Sequence, residues 1–235
     1  MAKPGTATAN LKLTVGGLIV SHPITVPDAA VPASEIVPAL QQLVDAVVDA
    51  ASAGKSISCR EGCGACCRQL VPISASEGER LLDVIAALPA ARREVLEARF
   101  ASAEARLRAA GLAEPAGSSD RELSTAYFAL GLACPFLEEE SCSIHAERPL
   151  ICREYLVTSP AALCANPGQE GVTPVPVPKL SLAARGLEGP GDGWFPLAML
   201  QAWARTRPPT ERKKRTGKEW IGLFLRQLAT ASGRP

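Results

Sequence analysis

Hydrophobic residues recur along much of the chain at spacings of three and four, the pattern of helices with one buried face. The first such stretch is expected to begin with Ser34 as its N-cap and to end at Gly54. In the second stretch, Ser76 and Glu79 stand in the order of a capping box, and Pro89 predicts a helical hairpin or a kinked helix. Further helices are predicted in three places: residues 121–132, 195–205 and 217–230.

Alternation of apolar and polar residues is confined to a short part of the chain. LKLTVGGLIV, residues 11–20, alternates on both sides of two glycines and predicts a strand or a hairpin. The expected fold class is therefore mainly α with minor β structure (α+β). Along the chain we predict a strand and helix extension (1–55), a cysteine-cluster metal-binding domain (56–166) with a helical insert (about 74–132), and a proline-rich linker with C-terminal helices (167–235).

Charge and hydropathy exclude several classes of partner. The 25 basic residues nearly balance the 24 acidic ones, so the net charge of +1 gives no field to attract nucleic acid or an anionic membrane. No apolar run reaches the ~18 residues that a membrane helix needs, and no signal-peptide pattern is present. We therefore expect a cytoplasmic protein that binds neither nucleic acid nor a membrane. In that reducing compartment, clustered cysteines favour metal ligation or redox chemistry over disulfides.

The cysteines carry the strongest chemical signal in the sequence. All of them lie between residues 59 and 164, in the spacing C-x3-C-x2-C-C followed by C-x7-C-x9-C-x11-C. Gly62 and Gly64 allow the first group to curl around one centre. Such confinement predicts that the two groups share a metal site. The candidate ligands are Cys59, Cys63, Cys66, Cys67, Cys134, Cys142, Cys152 and Cys164.

The spacing favours iron or an iron–sulfur cluster over zinc. A closed zinc site is typically built from two C-x2-4-C pairs, and the later cysteines are too far apart to form the second pair. An iron–sulfur cluster more readily takes three thiolates from one loop and a remote fourth. Zinc remains the alternative. Cys66 and Cys67 leave the number of centres open, because adjacent side chains diverge and both do not suit a simple mononuclear site.

Basic residues beside the cysteines are candidates for the surroundings of the metal. Arg60, Arg68 and Arg153 are adjacent in sequence to cysteines and could favour the thiolate form, or could simply be solvated. His145 follows Cys142 by three residues and is either a nitrogen ligand or a hydrogen-bonding side chain.

Several ordered motifs together resemble the YkgJ-type cysteine-cluster family, which is named for zinc or iron chelation. They are CREGCGACC, ACPFL, CSIHAERPLICREY and the later Cys164. The resemblance covers about residues 56–166 and includes Arg148 beside Pro149. Arg148 and Arg153, with His145, are candidates to contact the metal ligands or to act as an extra ligand. His145 stands where that family usually has tyrosine, so it is an extra candidate ligand if this position faces the metal.

The resemblance and the residues together imply a cysteine-ligated iron, iron–sulfur or zinc protein with a redox or metal-handling role. A related motif occurs in flagellin lysine N-methylases, so a metal-dependent, protein-modifying enzyme is the first alternative, although no G-x-G-x-x-G fingerprint supports it. The second alternative is a structural zinc lobe that presents helices to a protein partner. Whether the protein is an enzyme stays open.

Overall fold

The computed structural model describes residues 5–113, 120–165, 171–187, 193–207 and 212–232. Over these residues the fold is mainly helical with short β structure, which confirms the predicted class. The helices are α1 (Val37–Ser52), α2 (Ala75–Ala86), α3 (Ala90–Ala109), α4 (Asp120–Ala129), α5 (Leu150–Glu154), α6 (Leu180–Ala184), α7 (Leu200–Thr206) and α8 (Gly217–Ser232). The strands are β1 (Thr6–Val15), β2 (Leu18–Pro27), β3 (Pro72–Ile73), β4 (Leu137–Glu138), β5 (Ser141–Cys142) and β6 (Phe195–Pro196).

Strands β1 and β2 form the predicted hairpin. They pair antiparallel from Val15 opposite Leu18 to Thr6 opposite Pro27. The turn between them consists of two glycines with positive φ, a conformation that other residues rarely adopt. The hairpin packs on α1 and α8 around the largest buried apolar cluster of the described residues.

The start of α1 differs from the prediction. Ser34 is not its N-cap: it lies in a 3-10 turn, Ala33–Ile36, and Ile36 precedes the helix without a side-chain cap. The predicted apolar face is correct, because Leu40, Leu43 and Val47 are all buried. Burial of this face, rather than a cap, therefore fixes where the helix lies.

The capping box of α2 is also displaced from the predicted position. Ser74, in an extended conformation, accepts a hydrogen bond from the Glu77 backbone, and the Glu77 carboxylate accepts one from the Ser74 backbone. Ser76 and Glu79 lie inside the helix instead. The Glu79 carboxylate, which is almost inaccessible to solvent, pairs with two arginines of the segment after α7: Arg207 and Arg212.

The C-terminal part of the chain contributes to the main core. Residues 166–170, where the predicted linker begins, lie outside the described residues. Further along, Val175 and Val177 are buried in the cluster that contains α1 and α8. Helix α6 follows and was not predicted; it is held by Glu154, whose carboxylate accepts hydrogen bonds from the backbone and hydroxyl of Ser181 at 2.7 Å each.

A second apolar cluster lies between α2, α3 and the β4–β5 hairpin, and includes Phe100, Phe136 and Ile144. Helix α5 contacts both clusters, because Leu150 is buried in the first and α5 packs on β3, whose Ile73 belongs to the second. The cysteine segments are located at this junction.

Candidate metal centre

A series of tight turns shapes the first group of cysteines. Backbone hydrogen bonds run from Cys63 to Arg60, from Cys67 to Gly64 and from Gln69 to Cys66. No φ at Gly64 requires glycine, but a β-carbon there would lie 2.7 Å from the carbonyl oxygen of Glu140. The glycine therefore lets this loop pack directly on the β4–β5 hairpin.

The second group approaches the first through a main-chain contact. The Cys134 N–H donates to the carbonyl of Cys67 at 2.7 Å, and Cys142 closes the short β4–β5 pair opposite Leu137. The two residues of the connecting turn are Glu139 and Glu140, both with positive φ (47° and 59°). Such a turn normally takes Asn and Gly, so this hairpin carries backbone strain beside the site.

An ion pair fastens that strained turn to the cysteine loop. Arg68 donates from both guanidinium ends to the carboxylate of Glu140, at 2.6 and 2.9 Å. A role of Arg68 beside the metal stays a prediction; the contact seen for its guanidinium is this ion pair. On the far side, Glu138 pairs with Arg92 and Arg99 of α3.

Helix α5 positions Cys152. Pro149 precedes the helix, and the Leu150 N–H at its start donates to the buried carboxylate of Glu77 at 2.9 Å. Arg153 points to α1, where it pairs with Asp45 at 2.6 Å, and it also donates to the Ala146 carbonyl. Arg153 does not line the cavity described next.

Seven of the eight cysteines line one cavity of about 210 Å³. His145 and Arg148 form part of its wall, and Arg60 is also in the lining. The inner wall is apolar and includes Phe136 and Ile144. The structure thus brings both cysteine groups to one place. The lining thiols belong to Cys59, Cys63, Cys66, Cys67, Cys134, Cys142 and Cys152.

Cys164 is buried and does not line this cavity. Burial raises the pKa of its thiol and a hydrogen bond from the Tyr155 hydroxyl lowers it, while the Cys164 carbonyl accepts a hydrogen bond from Gln69 at 3.1 Å. Tyr155 itself is in the cavity wall. Cys164 therefore stands behind the site, one side chain away from it.

Burial and mutual repulsion oppose ionisation of the cavity thiols. Burial raises the pKa of Cys134 to about 12, and burial also raises the pKa of Cys152 well above its ordinary value. The pKa of Cys59 and of Cys142 is also raised by burial, and that of Cys66 by its hydrogen bond with Cys67; the guanidinium of Arg148 offsets part of each rise. Arg148, one of the predicted neighbours of the metal, is thus the arginine whose charge reaches three of the cavity thiols.

His145 stands in the cavity wall with its Nε2 engaged by Arg148. Since a guanidinium can only donate, Nε2 is the acceptor. Burial and then the charge of Arg148 lower the pKa of His145, so the imidazole is neutral near pH 7. The arrangement makes His145 a partner that orients Arg148; ligation by His145 stays a prediction.

The donor set fits a metal that prefers sulfur. Thiolates suit zinc, iron and iron–sulfur clusters, and seven of them face one cavity. They stand around the cavity rather than converging on a point: no group of three His, Cys, Asp or Glu side chains in the described ranges is arranged to hold a metal ion. None of the described helices is long and apolar enough to cross a membrane.

Residues that the sequence did not single out hold the site together. Glu77, Gln69 and Tyr155 each contact a segment that bears a cysteine. The predicted capping box, Ser76 with Glu79, lies two residues beyond the observed one, so the sequence did not indicate Glu77. No sequence signal marks the other two, because their partners are distant along the chain.

Residues 58–169 match the family model CxxCxxCC, described as "Putative zinc- or iron-chelating domain". The matched segment contains all of the cysteines, and the resemblance to a cysteine-cluster family is confirmed over it. The match supports metal binding by this segment. No curated protein and no solved structure gives a significant match.

Proposed function

We propose that this protein binds iron, as a cysteine-ligated or iron–sulfur centre, and uses it for redox chemistry or metal handling. One observation carries the proposal: cysteines separated by a long helical insert line a single cavity. Iron is preferred to zinc because the second cysteine group lacks the closely spaced pair that completes a zinc site. The matched family description includes both metals.

The surroundings of the cavity suit a charged thiolate centre. Arg148 offsets part of the negative charge that metal-bound thiolates carry, and the apolar wall around Phe136 limits access of water. Bound iron would supply one-electron chemistry at this place. The residues proposed to hold it are the seven cysteines of the cavity wall, with Arg148 and His145 beside them.

Anaerobic purification followed by metal analysis and a visible spectrum tests the proposal. We expect iron bound to the chain, with a broad absorption near roughly 400 nm and acid-labile sulfide if the centre is a cluster. Colourless protein with stoichiometric zinc would refute the iron assignment. Protein that retains neither metal after reconstitution would refute the proposed function altogether.

A further inference from the structure

The wall segment, residues 145–149, immediately precedes α5 and has two faces. On one face, His145, Arg148 and Pro149 line the cavity. On the other, the three consecutive carbonyl groups 146–148 accept hydrogen bonds from side chains of α1 and α5. The two helices therefore hold the backbone of a segment whose side chains form part of the proposed metal site.

Gln41 of α1 makes two of these hydrogen bonds. Its Nε2 lies 3.2 Å from the carbonyl oxygen of Glu147 and 3.2 Å from that of Arg148. Because both partners are carbonyl oxygens, the amide group that faces them is the NH2, which has one hydrogen for each. Gln41 is buried, with 5% of its surface exposed, so these bonds face little competition from water.

Asp45 adds an indirect contact from the same helix. It lies one turn after Gln41, and residues four apart share a helix face. The Asp45 carboxylate accepts a hydrogen bond from Arg153 at 2.6 Å. Arg153 in turn donates to the carbonyl of Arg148 at 3.0 Å and to that of Ala146. One face of α1 thus reaches the wall segment both directly and through Arg153.

A third attachment comes from α2. Arg80 donates to the Glu147 carboxylate at 2.9 and 3.2 Å. About a third of each side chain is exposed to solvent, and ion pairs in contact with water contribute little to stability. The buried amide of Gln41 is therefore the stronger constraint on the backbone at residues 147 and 148.

The cavity side chain that depends most on this backbone is Arg148. Its guanidinium engages Nε2 of His145, and both residues line the cavity. A change in the backbone at residue 148 would move the guanidinium relative to the thiols, and the interaction of charges depends on their separation. Groups that hold the surroundings of metal ligands typically affect metal affinity by 10–100-fold.

We propose that Gln41 is a positioning residue of the metal centre, which holds the backbone of Glu147 and Arg148 and thereby fixes the Arg148 guanidinium in the cavity wall. This inference rests on the proposed function and adds a residue from outside the segment that matches the family model, residues 58–169. Helix α1 is thus a working part of the metal site, although the sequence predicted it as part of a separate extension.

Cobalt(II) binding to the full chain, after anaerobic removal of native metal, tests this role. Competition with a chelator gives the affinity, and the thiolate-to-cobalt charge-transfer band at saturation reports the electrostatic surroundings of the sulfur atoms. Gln41→Met keeps the approximate volume and removes both N–H donors. We expect binding about tenfold weaker. We also expect the band at longer wavelength, because a sulfur farther from a cation transfers an electron to the metal at lower energy.

Val47→Ala is the matched control for a loss of packing in α1. Val47 is buried in the first apolar cluster, and its side chain has no donor for the wall segment. This variant should be less stable than the wild type but should keep the wild-type band. A band that stays in place in Gln41→Met, or that moves equally in Val47→Ala, would overturn the proposal.

A double variant shows whether Gln41 acts through Arg148. If it does, Gln41→Met combined with Arg148→Gln should bind cobalt no more weakly than Arg148→Gln alone and should have the same band. Additive losses would overturn the proposal.

Two further outcomes are separable. If circular dichroism shows that Gln41→Met is unfolded, Asp45→Asn takes its place, because nearly half of the Asp45 side chain is exposed and its replacement only releases Arg153. Its band should move in the same direction, and an unmoved band would overturn the proposal. A wild-type chain that binds neither cobalt, zinc nor iron would refute the proposed function, and this role with it; normal wild-type binding with unchanged variants would refute the role alone.

Discussion

Replacing Glu77 with glutamine exchanges one carboxylate oxygen for an NH2 group, and we expect this small change to destabilise the protein strongly. The Glu77 carboxylate is buried and accepts three hydrogen bonds: two from the backbone and hydroxyl of Ser74, at 3.0 and 2.8 Å, and one from the backbone of Leu150, at 2.9 Å. It joins the start of α2 to the start of α5. Because α5 carries Cys152, this carboxylate also supports the metal site.

The magnitude follows from counting donors. Glutamine offers one accepting oxygen and one NH2 group, so the N–H of either Ser74 or Leu150 loses its partner. A buried donor without a partner costs about 1–3 kcal/mol, and weakening the capping box costs about 0.5–2 kcal/mol. We expect the free energy of unfolding to fall by about 3 kcal/mol. For a chain of this length the melting temperature should fall by roughly 6–12 °C.

Urea unfolding of Glu77→Gln, followed by circular dichroism, measures the effect. Glu97→Gln is the matched control, since Glu97 is an exposed carboxylate on α3 and its replacement should change the stability by less than about 0.5 kcal/mol. If the two variants unfold at the same urea concentration, then the three hydrogen bonds do not stabilise the junction of α2 and α5, and the reasoning fails.

Four further variants probe the strained turn, the close contact and the charge at the site. Glu139→Gly should raise the free energy of unfolding by about 1 kcal/mol, because glycine adopts the positive φ without strain, and Glu140→Gly should raise it less, because the bond with Arg68 is lost. Gly64→Ala should lower stability by about 1–3 kcal/mol and weaken metal binding in a chelator competition, since its methyl group would press on the β4–β5 hairpin. Arg148→Gln should raise the pH at which half of the bound metal is released.

The sign of the last effect follows from the thiol pKa values. The Arg148 cation offsets part of the rise in the pKa of three cavity thiols, so its removal raises these pKa values further and protons compete with metal at a higher pH. Arg226→Gln, an exposed change on α8 away from the cavity lining, should leave the release profile unchanged. An unshifted profile in Arg148→Gln would show that this arginine does not favour thiolate.

For the turn, an equal gain in stability from Glu139→Gly and Glu140→Gly would show that the ion pair of Glu140 with Arg68 adds nothing to stability.

Long periodic features were predictable from the sequence, and the reason is that local patterns encode them. The buried face of α1, the break at Pro89 and the hairpin with its two glycines all follow from residue spacing. Prediction failed for short elements fixed by distant partners. Helix α6 has five residues, and its position depends on Glu154, more than 20 residues earlier.

The sequence predicted which cysteines form the site, but not which contacts the surrounding side chains make. Spacing indicated that the cysteine groups meet, and the cavity brings seven of them together. Spacing could not show which group each arginine contacts, because the long arginine side chain can extend in several directions. Arg153 extends to Asp45 on α1 and Arg68 to Glu140, while Arg148 faces the thiols. Only the folded packing of α1 and the hairpin decides among them.

Because of the hydrogen bond between Cys67 and Cys134, the segment between the two cysteine groups can vary in length without disturbing the site. The chain leaves the cysteine loop at one of these residues and returns at the other, so the ends of the intervening segment lie side by side. Segments whose ends are close tolerate large changes in length, because the entropy of closing them grows only slowly. Residues could be gained or lost at the far end of α3 without moving a sulfur atom. The same chemistry could therefore be presented on peripheral surfaces of quite different size.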